Sequence, residues 1–236
     1  MQLFYHPGLN DNSGKVVFDK DESRHIQKVL RKQPGDQLHI TNGKGLMAEV
    51  LLTEIGPKKC VASVSLSEMQ QPLPYRLHLA VAPTKSNDRY EWFVEKAVEI
   101  GISEITPIIC AHSERKIIKL DRIERVAVAA MKQSLKSWLP RINEAIPFGT
   151  FIANKRGGEL KAIAHCAEGP KERLSQLLVP GRSSTILIGP EGDFSPEEIK
   201  EALAAGYQAV NLGEQRLRTE TAALVACHSV AFINID

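Results

Sequence analysis

Cysteine is scarce in this sequence: 4 residues in 236, at Cys60, Cys110, Cys166 and Cys227. No two of them have metal-ligand spacing, which argues against a site built on thiolates. Such scattered thiols are expected to be reduced and mostly buried, as in a cytoplasmic protein. The 7 histidines (His6, His25, His39, His78, His112, His165 and His228) are equally dispersed and form no zinc-type pair, so no metal is expected. Apolar runs of bilayer length are missing, and no membrane span is expected. The opening Met1-Gln2-Leu3-Phe4-Tyr5-His6-Pro7 has neither a basic stretch nor an apolar core, so it does not read as a signal peptide. Charge of one sign does not dominate either. With a net charge of +2, any contact with nucleic acid has to come from local basic patches. There is no internal repeat and no low-complexity tract.

What is present reads as a soluble globular chain, 43% hydrophobic and 25% charged. Its length suits one large domain, or a small one and a medium one. Residues 1–69 read as a small β-rich unit. Lys15–Phe18 is a short strand. Gln37–Ile40 and Leu46–Leu52 flank Thr41-Asn42-Gly43-Lys44-Gly45, a hairpin signal. Val61–Leu66 alternates like a further strand, and strands at this spacing suggest a small barrel. Between them Ser23–Lys32 reads as a helix, with Ile26, Val29 and Leu30 on one face. Arg24, Lys28 and Arg31 share another face. That stripe is either a solvated outer surface or a row of phosphate contacts.

Gln70-Gln71-Pro72-Leu73-Pro74 reads as a linker. From residue 74 to 236 the pattern becomes an alternation of strand and helix. Arg76–Ala82, Ile105–Cys110, Thr185–Ile188 and Ala209–Leu212 are apolar strands. Asp88–Ile100, Asp121–Lys136 and Glu220–Phe232 are helices. The alternation implies an α/β domain with a mostly parallel sheet covered on both faces. The last helix is apolar on most sides, so it has to be buried, in its own subunit or against a partner.

Two loops carry the chemistry. Ile188-Gly189-Pro190-Glu191-Gly192-Asp193-Phe194 leads from a strand to a helix with Ser195 as N-cap, Pro196 at the first position and Glu198 completing a capping box. It lacks the Lys-Ser/Thr end of a P-loop and the dinucleotide glycine spacing. Glu191, Asp193, Glu197 and Glu198 at the helix start disfavour a phosphate. A phosphate-free ligand carrying positive charge fits better, and S-adenosylmethionine is one. The second loop runs Leu212-Gly213-Glu214-Gln215-Arg216-Leu217-Arg218-Thr219-Glu220-Thr221-Ala222, with Thr219 the expected cap of the final helix.

Here the chain resembles the family of ribosomal RNA small subunit methyltransferase E. Gly189–Gly192 matches its Gly-Pro-Glu-Gly loop, and Leu212-Gly213 with Leu217–Ala222 matches its Leu-Gly…Leu-Arg-Thr-Glu-Thr-Ala block. Lys85, Arg89 and Glu95–Gly101 are similar to its Lys-Ala-x-Glu-Leu-Gly helix. Gln133-Ser134 near Pro140 is similar to its Gln-Ser block. His25, Val29-Leu30-Arg31 and Gly35-Asp36 match its N-terminal unit. The likeness covers nearly the whole chain. Asp193 stands where the family usually has a second glycine. Gln215 replaces an arginine, Arg216 an aliphatic residue, and Lys136 stands near a usual arginine.

The resemblance implies a PUA-like RNA-binding barrel (1–69) followed by an α/β trefoil-knot (SPOUT) methyltransferase domain (74–236). It implies a homodimer, S-adenosylmethionine as cofactor, and methylation of N3 of one uridine in 16S rRNA of the small ribosomal subunit. The expected cofactor residues are Gly189, Pro190, Glu191, Gly192, Leu212, Gly213, Leu217, Arg218 and Thr219. Arg218 is expected to stabilise developing charge and Glu220 to accept the N3 proton, although an ion-pair or capping role for Glu220 is equally open. Arg24, His25, Lys28, Arg31 and Lys32, with Lys85, Arg89 and Arg115 nearer the cleft, are the expected RNA contacts. Three rivals remain: a relative that methylates ribose or another base, a non-enzymatic RNA-binding module, and a Rossmann-like oxidoreductase. The last should carry its glycine fingerprint early in the α/β domain, where Ala80-Val81-Ala82-Pro83-Thr84 has none.

Overall fold

The computed structural model describes residues 2–154 and 160–235. It divides into two compact units, Met1–Pro72 with Val128–Leu139, and Leu73–Ala127 with Pro140–Asp236.

The first unit is a five-stranded sheet in the order β1-β3-β4-β5-β2, made of β1 (Leu3–Tyr5), β2 (Lys15–Phe18), β3 (Gln37–Thr41), β4 (Leu46–Glu54) and β5 (Cys60–Met69). β1 and β3 run parallel, and the other pairings among these strands are antiparallel. All five strands send residues into one core, among them Phe4, Val16, Phe18, Leu38, Ile40, Val50, Leu52 and Cys60. The sheet therefore curls around a common interior, as alternating short strands require. The Asn42-Gly43 hairpin forms between β3 and β4 as expected, with Asn42 Oδ1 accepting from the Lys44 and Leu46 amides.

The basic segment is not one regular helix. A short α1 (Lys20–Arg24) passes into a π-helical turn, His25–Val29. The Leu30 amide donates to the His25 carbonyl, five residues back. That wider turn rotates the apolar face by about one residue. Ile26 is fully buried, but Val29, expected beside it, is 68% exposed. Arg31 then adopts φ 52°, which ends the helical stripe.

Residues 128–139, read from the sequence as part of the second domain, belong to the first unit. The α3 helix (Leu120–Gln133) is shorter than expected because Leu135 turns left-handed at φ 57°. The segment then pairs with the hairpin loop. The Ser137 carbonyl accepts from the Gly45 amide and the Thr41 hydroxyl, and the Leu139 amide donates to the Gly43 carbonyl.

Among the described residues of the second unit every strand pairing is parallel. The strands are β6 (Leu77–Val81), β7 (Glu104–Ile109), β8 (Arg141–Ile142), β9 (Ile146–Pro147), β10 (Leu160–Ala164), β11 (Glu172–Arg173), β12 (Ser184–Ile188) and β13 (Gln208–Asn211). The order is β11-β13-β10-β12-β6-β7-β8, with β9 beside the end of β7. β6 and β12 are buried along their whole length, as apolar strands covered on both faces must be. The helices are α2 (Asn87–Ile100), α4 (Phe148–Ala153), α5 (Leu174–Leu177), α6 (Pro196–Ala204) and α7 (Thr219–Phe232). α7 packs on α2, β6 and β12. Because the strands are parallel, the loops after β6, β7, β10, β12 and β13 all emerge at one edge. That edge is where open α/β sheets bind ligands.

Candidate active site

Two expected loops and one unexpected one enclose a cavity of about 950 Å³ at this edge. Gly189–Asp193 forms one wall and Leu212–Thr219 another. The third comes from the end of β10 and the chain just beyond it, with Ala164, His165, Cys166, Lys171 and Arg173. All nine cofactor residues expected from sequence line this space. The third wall was missed. Its one signal is a short apolar strand, Leu160–Ala164, running straight into His-Cys.

The first loop is braced from several sides. The Ser195 hydroxyl accepts from the Glu198 amide at 3.2 Å and Glu198 Oε2 accepts from the Ser195 amide at 2.8 Å, so the expected capping box is formed. Glu198 Oε1 also accepts from the Ala111 amide, and His112 Nδ1 lies 3.0 Å from the Gly192 carbonyl. Both partners sit just past β7, which topology brings to the same edge. Gly189 is needed for close approach, since a Cβ there would lie 3.0 Å from the Phe194 ring.

Asp193 has φ 63°, a left-handed conformation that favours glycine, the residue the resemblance leads one to expect here. Aspartate tolerates it by local hydrogen bonding. Its carboxylate accepts from the Phe194 amide at 2.9 Å and from the Cys166 amide at 2.7 Å. The departure therefore ties the β10 wall to the β12 wall, a contact glycine cannot make.

The second loop turns at Gly213, φ 124°, a conformation costly for any side chain. It ends in α7, where the structure corrects one expectation. Arg218 is the N-cap residue and Thr219 opens the helix. The Thr219 hydroxyl is engaged elsewhere, donating to the Gly189 carbonyl at 3.1 Å. This buried bond joins the two loops. We expect Thr219→Val, which keeps the shape and strands that carbonyl, to cost about 1–3 kcal/mol, read as a shift in the urea unfolding midpoint, and to weaken cofactor binding.

The electrostatics differ from the expectation too. Of the four carboxylates at the start of α6, only Glu191 and Asp193 line the cavity; Glu198 is held in the capping box. Lys171, Arg173, Arg216 and Arg218 bring positive charge to the same walls. Mixed charge suits a zwitterion such as the methionyl part of S-adenosylmethionine, which carries a carboxylate beside its ammonium and sulfonium. Burial, then the nearby Lys171 charge, lowers the pKa of His165, so the imidazole is neutral at pH 7 and adds no further positive charge.

A second, shallower cavity of about 570 Å³ shares Arg216, Leu217 and Arg218 with the first and adds Glu220 and Thr221 from α7 and Asp88, Arg89 and Trp92 from α2. Arg218 lines both cavities, whereas Glu220 lines only the second. Glu220 is 6% exposed. Its Oε1 lies 3.9 Å from Arg89 Nε, and its Oε2 has no hydrogen-bond partner among the described residues. Lys85 and Arg115, expected near the cleft, are tied into the loop behind Glu191. The Lys85 amide donates to Glu191 Oε1, its Nζ pairs with Glu114 at 2.6 Å, and Arg115 donates to the Lys85 carbonyl. The hydrogen bond with Glu114 raises the Lys85 pKa, keeping that exposed ammonium charged. In the first unit Arg24, Lys28 and Arg31 are exposed, His25 and Lys32 half-buried.

Comparison with known proteins agrees with this geometry. An RNA methyltransferase domain model matches residues 71–231, and an RNA methyltransferase PUA domain model matches residues 18–65. Ribosomal RNA small subunit methyltransferase E of Buchnera aphidicola is 31% identical over 225 residues, covering 90% of this chain and 86% of the relative. The chain belongs to the ribosomal RNA small subunit methyltransferase E family. A crystal structure of a probable rRNA-methyltransferase from Porphyromonas gingivalis superposes with a TM-score of 0.93 at 43% identity, covering 99% of this chain and 98% of that one. The methyltransferase E of Neisseria gonorrhoeae, bound to S-adenosyl methionine, gives 0.88 at 27% identity with the same coverage. Family membership fixes the class read from the motifs, a PUA-like β unit and a SPOUT-type α/β methyltransferase unit that uses S-adenosylmethionine. It leaves the oxidoreductase and the non-enzymatic module without support. Among the described residues no metal cluster occurs and no helix is long and apolar enough to cross a membrane.

Proposed function

We propose that this chain methylates N3 of one uridine in the decoding region of 16S rRNA, on the small ribosomal subunit, in the cytoplasm and as a homodimer. The observation that carries the reading is the pairing of two cavities across Arg216, Leu217 and Arg218, one sized for the cofactor and one beside it holding a buried carboxylate. Residues 1–69, joined by 128–139, serve as the RNA-binding domain and the rest of 74–236 as the methyltransferase domain.

S-adenosylmethionine, when bound, supplies an electrophilic methyl group. Gly189, Pro190, Glu191, Gly192, Leu212, Gly213, Leu217, Arg218 and Thr219 would hold it. The work left to the protein is alignment and proton removal. Uridine N3 is a poor nucleophile while it carries its proton between two carbonyls. Glu220 accepts that proton, leaving the electron pair on N3. Arg218 stabilises the negative charge that spreads onto the carbonyl oxygens. A base within folded RNA has to be turned out to reach this edge. Dimerisation is supported by α7, where Ala223, Ala226, Cys227 and Val230 are buried while Ala222, Val225 and Ala231 remain half-open and Phe232 exposed.

The test is transfer of labelled methyl from the cofactor to small subunits from a strain lacking this activity. Digestion should place the label on N3 of a single uridine; label on a ribose or on another base rejects the assignment. Arg24, His25, Lys28, Arg31 and Lys32 are the proposed phosphate contacts of the first unit, with Lys85 and Arg115 in the second, where Arg89 is a further RNA contact. Binding to small subunits should therefore fall steeply with salt. Lys28→Ala should flatten the log–log slope by about 1 unit, and an unchanged slope removes Lys28 from the interface.

A further inference from the structure

Trp92 is 46% exposed on α2, while its neighbours Tyr90 and Phe93 are fully buried. The indole thus offers a ring to the open groove that also holds Arg89, Leu217, Arg218, Glu220 and Thr221. An aromatic face of this kind is a platform for stacking a nucleobase. Glu220 supplies an independent observation. It is nine-tenths buried, and its Oε2 lacks a hydrogen-bond partner among the described residues. A buried acceptor left unpaired is costly unless a ligand brings a donor. Three guanidinium groups, Arg89, Arg216 and Arg218, line the same groove and can only donate.

We propose that this groove is the seat of the flipped uracil base, an inference that rests on the methyltransferase reading above. The edge of uracil presents a carbonyl, the N3–H donor, and a second carbonyl. The groove presents the complement: Glu220 Oε2 accepts from N3–H, Arg89 and Arg218 donate to the carbonyls, and Trp92 stacks on the ring. Cytosine carries an acceptor at N3, so the same carboxylate would face a lone pair and reject it. The groove thereby selects uracil over the other pyrimidine, with Trp92 as a positioning residue and Glu220 as the reader of N3.

Single-turnover methylation of small subunits by Trp92→Ala and Trp92→Phe tests this. Loss of a stacked ring should slow Trp92→Ala by roughly 10-fold or more, and Trp92→Phe should stay within about 3-fold of the parent. Cofactor affinity by calorimetry and mass by sedimentation should not change. A parent-like rate for Trp92→Ala overturns the proposal. So does a rate loss accompanied by weaker cofactor binding or by a change of oligomeric state, because the indole then serves the cofactor site or a subunit seam. The chain has 2 tryptophans, so Trp138→Phe leaves Trp92 as the sole tryptophan, excited selectively at wavelengths beyond tyrosine absorption. Uridine 5′-monophosphate should quench it saturably, and cytidine 5′-monophosphate more weakly. Equal quenching by both, or none, overturns the groove assignment. Failure of the parent protein to methylate any RNA, with uridine-selective quenching intact, would strike the methyltransferase reading and leave the groove standing.

Discussion

Arg218→Ala lowers the single-turnover rate of methyl transfer by about 10²–10³-fold, the usual loss when a donor aimed at developing negative charge is removed. Cofactor affinity should change far less. Arg218 lines the cofactor cavity, but that cavity has many other walls, while its guanidinium is one of few donors common to both cavities. Helix α7 should survive the change, because Arg218 caps it through backbone geometry and makes no side-chain cap bond. Arg218→Lys keeps the charge without the planar fork and should fall between the two. The measurement is a rapid-quench time course with enzyme in excess over small subunits, paired with calorimetric titration of S-adenosylmethionine. An alanine variant with the parent's single-turnover rate removes Arg218 from the chemistry. Equal losses in rate and cofactor affinity would make it a cofactor residue only.

Much of this site was legible in the sequence because its two loops are short-range objects. The capping box at Ser195-Pro196-Glu197-Glu198 and the turn at Gly213 are set by neighbours within a few residues, and both appear as expected. What pattern reading could not supply is set by distant parts of the chain. The third cavity wall, His165 to Arg173, arrives because β10 lies between β12 and β13, an order that strand periodicity does not encode. Thr219 looks like a cap in one dimension; in three, the Gly189 carbonyl competes for its hydroxyl and wins. The wide turn at His25–Val29 keeps a helical apolar spacing yet exposes Val29, since one additional residue per turn moves the face without changing the composition. Residues 134–136 read as the end of a helix, but the chain leaves it early, and the open backbone groups of the Gly43–Gly45 hairpin take Ser137 and Leu139 just beyond as partners.

Glu220→Gln separates the two roles left open for this carboxylate. Its position beside Arg89, at 3.9 Å, fits an ion pair, and its place in the first turn of α7 fits a helix-dipole role worth only about 0.3–1 kcal/mol. Neither requires an oxygen without a partner, and Oε2 has none among the described residues. As general base, its loss should slow methylation by roughly 10²–10⁴-fold with cofactor affinity intact, because Glu220 does not line the cofactor cavity. The pH profile then discriminates. With no base to take the N3 proton, the variant depends on the fraction of uridine already ionised, so its rate should climb as pH rises while the parent's levels off. A purely structural carboxylate would give a variant with a lower unfolding midpoint and a pH profile parallel to the parent's. Parallel profiles would assign proton removal to water or to the RNA, leaving Glu220 to orient Arg89.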